Sequence, residues 1–237
     1  MVNVHLLKRR TIKIREAQKY RLPYIFEQRK NMKVEQFKLV YINSEYLKAL
    51  HNVDSEVMFQ ENNNYEIKPH LGILISCNGH HYAIPLTSAK EKHKNWRDVT
   101  ATNYRIYETI DIRIAKIDKY DIMVAENDYN KLRLMGVKPT DYCYFKKRIL
   151  SVLEIKKMIP VPTNQYSIID LDTASADIDT EQRRILMQKE YFFLRKYLEP
   201  IVRKAKNIYE KQIESGIIQR FHCDYKKLEA IADKYQS

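Results

Sequence analysis

The sequence is poor in the two residues that most often interrupt secondary structure. It contains 4 glycines and 7 prolines among 237 residues, and it has no internal repeat and no low-complexity linker. A chain of this length can bury one sizeable core. We therefore expect a single domain with charged decorations rather than several linked domains.

The sequence also has few cysteines and no long hydrophobic run. Its 3 cysteines are odd in number, widely spaced and without a Cys-x-x-Cys pair, which favours a reducing compartment and argues against a zinc site. The longest hydrophobic stretch, Leu71 to Cys77, is far too short to span a bilayer, and the N-terminus lacks an apolar signal core. These features predict a cytoplasmic protein that does not enter a membrane.

Positive charge and tyrosine are plentiful by contrast. Lys and Arg number 42 against 30 Asp and Glu, a net charge of +12, and residues 1–36 hold ten basic and three acidic residues, a net of +7. This excess favours polyanionic partners without distinguishing RNA, DNA or a membrane surface. Most of the 18 tyrosines are expected in the core and at edge strands, although a phenol can also stack on a base.

The hydrophobic pattern predicts an α+β fold, with an antiparallel sheet in the middle and helices mainly at the C-terminal end. Asn78-Gly79 is a strong hairpin signal between Leu71–Cys77 and His81–Pro85. Further strands are predicted at Phe37–Ile42, Arg105–Ile117, Ile122–Val124, Met158–Val161 and Ser167–Leu171. Helices are predicted after an N-cap at Ser44, over Asp128–Met135, after Thr140, from Thr180 to Leu198 with a break at Pro200, up to Gly216, and over Tyr225–Tyr235 behind an Asp224 cap.

The most informative segment follows the strand ending Tyr82-Ala83-Ile84 and reads Pro-Leu-Thr-Ser-Ala-Lys-Glu-Lys-His-Lys. Thr87 and Ser88 can donate hydrogen bonds to phosphate oxygens, and Lys90, Lys92 and Lys94 supply positive charge. Phosphoryl transfer needs donors aimed at developing oxyanions. By itself the segment is equally consistent with a strand end that runs into a solvated basic loop.

The surrounding segments resemble a known family. Val40–Leu50, Lys68–Ile75 and Gly79–Tyr82 precede Pro-Leu-Thr-Ser-x-Lys in the order found in the ToxN/AbiQ toxins of type III toxin–antitoxin and abortive-infection systems. The match is strongest over residues 38–96. The resemblance implies an endoribonuclease with a compact β-rich core, a sheet or barrel like that of the MazF/Kid toxins, inhibited by a structured RNA. It divides the chain into a basic extension, 1–36, and one domain, 37–237.

The resemblance also implies site residues. Thr87, Ser88 and Lys90 match the family's active-site motif, and Lys68 corresponds to a lysine near the scissile phosphate. Tyr46 and Tyr65 correspond to family tyrosines, and we expect these two, with Lys92, His93 and Lys94, to contact RNA.

The implied chemistry needs no metal or other cofactor. The RNA's own 2′-OH attacks the adjacent phosphate, and the products carry a 2′,3′-cyclic phosphate and a 5′-OH. The implied partner is a folded RNA antitoxin, a pseudoknot that the toxin cuts from a repeated precursor. A closed ring of several toxins joined by RNA is one form of the expected assembly.

Other interpretations remain open at this point. The main alternative is a non-catalytic basic nucleic-acid-binding protein such as a repressor. His80 and His81 offer a histidine acid/base pair, although adjacent strand residues point to opposite faces. Asp170 and Asp172 place two carboxylates together, as a magnesium nuclease would, although a turn explains them better.

Overall fold

The structure is a computed structural model that describes residues 34–59, 70–75 and 79–236, with side chains from residue 37 onward except at 70–75. Contacts divide the chain into residues 1–33 and residues 34–237, of which only the second unit contains described residues. Its first strand begins at Val34, so residues 34–36 of the predicted extension already belong to the sheet.

In the part of the chain that the structure describes, eight strands form one sheet in which every pairing is antiparallel. The main path runs β4-β6-β3-β2-β1-β8, while β5 pairs with β6 and β7 pairs with β3. The strands are β1 Val34–Ile42, β2 His70–Ile75, β3 Tyr82–Ser88, β4 Asn103–Asp111, β5 Ile122–Ala125, β6 Phe145–Glu154, β7 Ile159–Pro160 and β8 Tyr166–Ile168.

The long strand β6 organises the half of the sheet that carries the candidate site. One of its edges pairs along its whole length with β4, from Asn103↔Glu154 to Asp111↔Phe145. The other edge is shared: residues 146–149 pair with β5, and residues 151–153 pair with β3. The end of β3 therefore lies where the partner of β6 changes.

Five α-helices are described, and three of them form the C-terminal part predicted from the sequence. They are α1 Ser44–Val53, α2 Tyr129–Leu134, α3 Ile178–Arg195, α4 Leu198–Ser215 and α5 Tyr225–Ala232. Asp224 caps α5 by accepting from the Lys227 N–H at 3.2 Å, and α4 ends at Gly216, whose φ of +67° suits glycine. Both helix ends agree with the prediction.

Buried tyrosines join the helices to the sheet. The rings of Tyr82 on β3, Tyr209 on α4 and Tyr225 on α5 lie 5.5 to 5.9 Å apart. The hydroxyls of Tyr82 and Tyr209 both donate to the Glu229 carboxylate, at 2.5 and 2.7 Å. These tyrosines belong to the core, as expected for most of them, and the shared carboxylate satisfies hydroxyls that would be costly to bury alone.

Several local predictions were wrong. The side chain of Asn43, not Ser44, caps α1 by accepting from the Tyr46 N–H at 3.1 Å. The helix break precedes Pro200, which lies in the first turn of α4, where proline is tolerated because its missing N–H would have no intrahelical partner. β4 ends at Asp111 rather than Ile117. In place of a helix after Thr140 there is a short 3₁₀ turn, Pro139–Tyr144, followed by β6.

Candidate functional site

The site is built at the end of β3, where the strand leaves the sheet. Thr87 pairs with Val152 and Ser88 with Ser151 on β6. The Ala89 N–H still donates to the Leu150 carbonyl at 3.4 Å, and the chain then turns into the 3₁₀ helix Glu91–Asn95. The Thr-Ser-x-Lys motif thus begins on a fixed strand and ends on the loop that follows it.

Ser88 and Lys90 both reach solvent. Each is an exposed residue, and neither side chain has a hydrogen-bond or ion-pair partner among the described residues. The nearby lysines are exposed but engaged: Lys94 pairs with Glu91 at 2.9 Å, and the Lys92 ammonium lies 5.6 Å from the centre of the Trp96 ring. A hydroxyl and an ammonium two residues apart can therefore meet one phosphate group.

The buried side chain of His93 anchors the loop that carries Lys90. The His93 side chain is buried, and its Nδ1 accepts a hydrogen bond from the Lys90 backbone N–H at 3.0 Å. Burial, assisted by the charge of Lys92, lowers the pKa of His93 from its usual value. A neutral imidazole with a free lone pair on Nδ1 is what this hydrogen bond requires.

A second anchor comes from Arg105 on β4. Its guanidinium donates to the carbonyls of His93 and Lys94, both at 3.0 Å, and forms an ion pair with Asp98. Lys147 on β6 also donates to Asp98, at 2.6 Å. Burial of the Asp98 carboxyl opposes ionisation, but the hydrogen bonds from Lys147 and Arg105 outweigh it and lower the pKa of Asp98. Two neighbouring strands thereby fix both ends of the loop.

Thr87 is held differently from Ser88. Its hydroxyl lies 3.2 Å from the Val152 carbonyl and 3.3 Å from Oε1 of Glu154, a carboxylate that is 9% exposed. Lys156 approaches the other oxygen of Glu154 at 3.9 Å. In this arrangement the Thr87 proton points toward β6, which leaves the Thr87 oxygen as an acceptor and brings the Glu154 carboxylate within hydrogen-bond distance of the motif.

The structure corrects two of the predicted RNA contacts. Tyr46 has no exposed surface, and its hydroxyl donates to the Pro160 carbonyl at 2.6 Å, so it cannot stack on a base in this conformation. His93 is 1% exposed and serves as an internal anchor instead. Tyr65 and Lys68 lie outside the described residues, and their roles stay predictions.

The rival chemistries are not supported by the geometry. His80 lies 2.8 Å from Asp233 and 3.6 Å from Glu229, at the C-terminal helix rather than at the motif. Asp170 accepts from the backbone N–H groups of Asp172 and Thr173 at 2.8 and 3.2 Å, which is a turn. Within the described ranges no group of three His, Cys, Asp or Glu residues is placed to hold a metal ion, and no helix there is long and apolar enough to cross a membrane.

The sequence did not indicate Glu154, Arg105 or Lys156 as parts of the site. Glu154 reaches Thr87 only through the pairing of β3 with β6, across 67 residues of sequence. Arg105 reaches the loop from β4 in the same way. No local motif marks any of the three, so the pairing of the strands was the missing information.

The fold and the site together define an α+β protein in which strand β3 ends at an exposed serine hydroxyl, followed by a cluster of lysines. The sequence profile of the ToxN toxins of type III toxin–antitoxin systems matches residues 38–233. The chain belongs to this family.

Individual relatives agree with that membership. An endoribonuclease ToxN from Bacillus thuringiensis subsp. kurstaki is 26% identical over 203 residues, covering 82% of this chain and 82% of the relative. The endoribonuclease AbiQ of Lactococcus lactis subsp. lactis is 25% identical over 200 residues, covering 82% of this chain and 86% of the relative.

Two solved structures share the fold. One is a type III toxin that a non-coding RNA pseudoknot selectively inhibits, with a TM-score of 0.58 and 22% identity over 86% of this chain and 99% of that one. The other is AbiQ, a lactococcal anti-phage endoribonuclease, with a TM-score of 0.58 and 23% identity over 84% of this chain and 98% of that one. The predicted sheet with a helical C-terminal part is confirmed.

Proposed function

We propose that this chain is the endoribonuclease toxin of a type III toxin–antitoxin system and cleaves RNA without a metal ion. The observation that carries the proposal is that two exposed residues, Ser88 at the end of β3 and Lys90 two residues later, stand where the strand meets a loop held by His93 and Arg105. Relatives named endoribonuclease support the activity.

The proposed reaction uses the 2′-OH of the RNA as the nucleophile. The 2′-OH loses its proton as its oxygen attacks the adjacent phosphorus, and the bond from phosphorus to the 5′-oxygen breaks as that oxygen takes up a proton. The products are a 2′,3′-cyclic phosphate and a 5′-OH. Ser88 donates a hydrogen bond to a non-bridging phosphate oxygen, and the Lys90 ammonium stabilises the added negative charge of the phosphorane. Thr87 and Glu154 position this end of the strand.

Purified protein incubated with cellular RNA in excess EDTA tests the chemistry. Cleavage that continues in EDTA and leaves cyclic phosphate ends is expected. Cleavage that stops with the chelator and returns with magnesium would overturn the metal-independent mechanism.

Expression in growing cells separates the toxin from a non-catalytic binding protein. The unmodified chain should arrest growth when it is expressed alone, whereas Ser88→Ala and Lys90→Ala should not. Lys226→Ala removes an exposed lysine on α5 and is the matched control, which should still arrest growth. Full toxicity of both Ser88→Ala and Lys90→Ala would show that the site is misplaced.

The proposed antitoxin is a folded RNA, a pseudoknot that the chain itself cuts from a repeated precursor. The solved toxin inhibited by an RNA pseudoknot supports this partner. Structured RNA is recognised mainly by its shape and backbone, which suits a basic protein. The protein should co-purify with RNA transcribed from this repeated precursor as a discrete complex of several toxins and RNAs. Inhibition by a second protein without RNA would contradict the proposal.

Three other expectations stay predictions. They are the division of the chain into residues 1–36 and 37–237, the RNA contacts of Lys92 and Lys94, and the cytoplasmic location.

A further inference from the structure

An unusual turn joins α4 to α5 beside the candidate site. The His222 N–H donates to the Gln219 carbonyl at 3.0 Å, and Phe221, the third residue of the turn, has a φ of +65°. The other described residues with positive φ are glycines. A turn of this kind favours glycine at its third position because a side chain there crowds the backbone. A phenylalanine is therefore unusual at this position of a turn.

Burial in the core does not explain the phenylalanine, because half of the Phe221 surface is exposed. Two cations lie over the ring: the Arg220 guanidinium carbon is 4.5 Å from the ring centre, and the Lys156 ammonium is 5.7 Å from it. Proteins that bind single-stranded nucleic acids combine aromatic rings, on which bases stack, with cationic side chains of this kind.

The turn is held rigidly against the sheet. The Cys223 N–H donates to the Lys156 carbonyl at 3.1 Å, which ties the turn to the residues that follow β6. Gln212 on α4 donates to the Cys223 carbonyl at 2.9 Å and accepts from the Tyr225 N–H at 2.8 Å. These hydrogen bonds fix the backbone directly after Phe221, so a ligand does not have to order this part of the turn.

A short series of contacts connects the ring to the Thr-Ser-x-Lys motif. Lys156 borders the Phe221 ring and approaches Glu154 at 3.9 Å, and Glu154 accepts from Thr87 at 3.3 Å. On its other side the turn borders a cavity of about 790 Å³, whose lining includes Lys204, Lys211 and His222. The turn thus adjoins both this cavity and the residues that contact the motif.

We propose that Phe221, flanked by Arg220 and Lys156, is a stacking subsite for one base of single-stranded RNA bound at the candidate site. This inference rests on the proposed function and adds a substrate contact to it. Every base has a π-face, so such a subsite positions the strand without selecting a sequence. Arg220 and Lys156 then neutralise the phosphates on either side of the stacked base.

Binding measurements in a Ser88→Ala background test the subsite, with fluorescence anisotropy of a short, labelled single-stranded RNA of mixed sequence. Phe221→Ala should weaken binding by about 5- to 100-fold, the loss typical of removing one stacking aromatic. Phe221→Trp should bind like the parent. Ile217→Ala, which trims another exposed apolar residue of the same connection, is the matched control and should change nothing.

Phe221→Gly separates binding from folding. Glycine tolerates the positive φ, so this variant should be at least as stable as the parent in thermal unfolding and yet bind as weakly as Phe221→Ala. A stable Phe221→Gly variant that binds RNA as well as the parent would overturn the subsite and leave the proposed function standing.

Removal of single bases from the RNA provides a second measurement. One abasic position should weaken binding to the parent but leave binding to Phe221→Ala unchanged, because the partner of the missing base is already gone. Equal losses in both proteins at every position would overturn the subsite. A parent protein that binds no RNA would refute the proposed function and the subsite together.

Discussion

Glu190 provides a quantitative test of the packing behind the candidate site. It lies on α3, only 3% of its surface is exposed, and its neighbour Ser151 is the residue that pairs with Ser88 across the sheet. Burial raises the pKa of the Glu190 carboxyl from 4.5 to about 7, and the nearby Ser151 hydroxyl offsets a part of this rise. The folded protein therefore keeps this carboxyl protonated at pH values where the unfolded chain has lost the proton.

The size and sign of the effect follow from this difference in pKa. Each pKa unit corresponds to about 1.4 kcal/mol, so the rise from 4.5 to about 7 corresponds to about 3 kcal/mol. Because the folded-state pKa is raised, the stability linked to the proton is fully present below pH 4.5 and is lost as the pH rises to 7. The change Glu190→Gln, which cannot ionise, should remove this loss.

Urea unfolding at pH 5 and at pH 8 measures the difference. Glu190→Gln should be more stable than the parent at pH 8 by up to about 3 kcal/mol, and its advantage should shrink toward pH 5. Glu214→Gln, at an exposed position of α4, is the control and should show no such dependence. If Glu190→Gln is the less stable protein at pH 8, the carboxylate is ionised and well paired in the fold, and the burial argument is wrong.

Three further substitutions test how α1 and the loop are held. Asn43→Ala should cost about 1 kcal/mol of stability in urea unfolding, because Asn43 supplies the helix cap. Tyr46→Phe should cost about 1 kcal/mol by the same assay while RNA affinity stays unchanged, since its hydroxyl bonds only inside the core; weaker RNA binding would contradict this. Arg105→Leu should cost about 3 kcal/mol and slow RNA cleavage, because it leaves Asp98 half-paired and releases the loop; unaltered cleavage would show that the clamp is unnecessary.

Local signals predicted the parts of the fold that depend on a few neighbouring residues. The helix that ends at Gly216 does so at positive φ, and Asp224 caps a helix by accepting the backbone N–H of the residue three positions on. In each case the side chain and the backbone it controls lie within one helical turn, so the sequence contains the whole interaction.

β6 escaped prediction because its pattern does not alternate. Its second half, Ser151 to Glu154, is buried on both faces and mixes polar with apolar residues. Its first half contains Lys147, whose burial is tolerated only because Asp98 and Glu126 face it at 2.6 and 3.5 Å. A strand whose polar residues are satisfied by distant partners resembles a surface segment when it is considered alone.

The candidate site likewise contains residues that a local motif reveals and a residue that only strand pairing brings to the motif. Thr87, Ser88 and Lys90 are contiguous and were found together, whereas Glu154 arrives through strand register. A shift of one residue between β3 and β6 would move Glu154 to the opposite face of the sheet and away from Thr87. The pairing of the strands therefore decides which residues contact the motif, and only the motif itself can be recognised in the sequence.

Burial decides the roles within the basic loop. His93 and Lys90 lie three residues apart and have similar chemistry in the sequence, but His93 is enclosed while Lys90 is exposed. Protonation of Nδ1 would break the hydrogen bond by which His93 holds the Lys90 backbone. His93 therefore cannot act as a general acid or base through Nδ1 without releasing the loop it supports. For the proposed cleavage, the part of His93 is therefore structural, and Lys90 is the exposed cation that the fold presents to the phosphate.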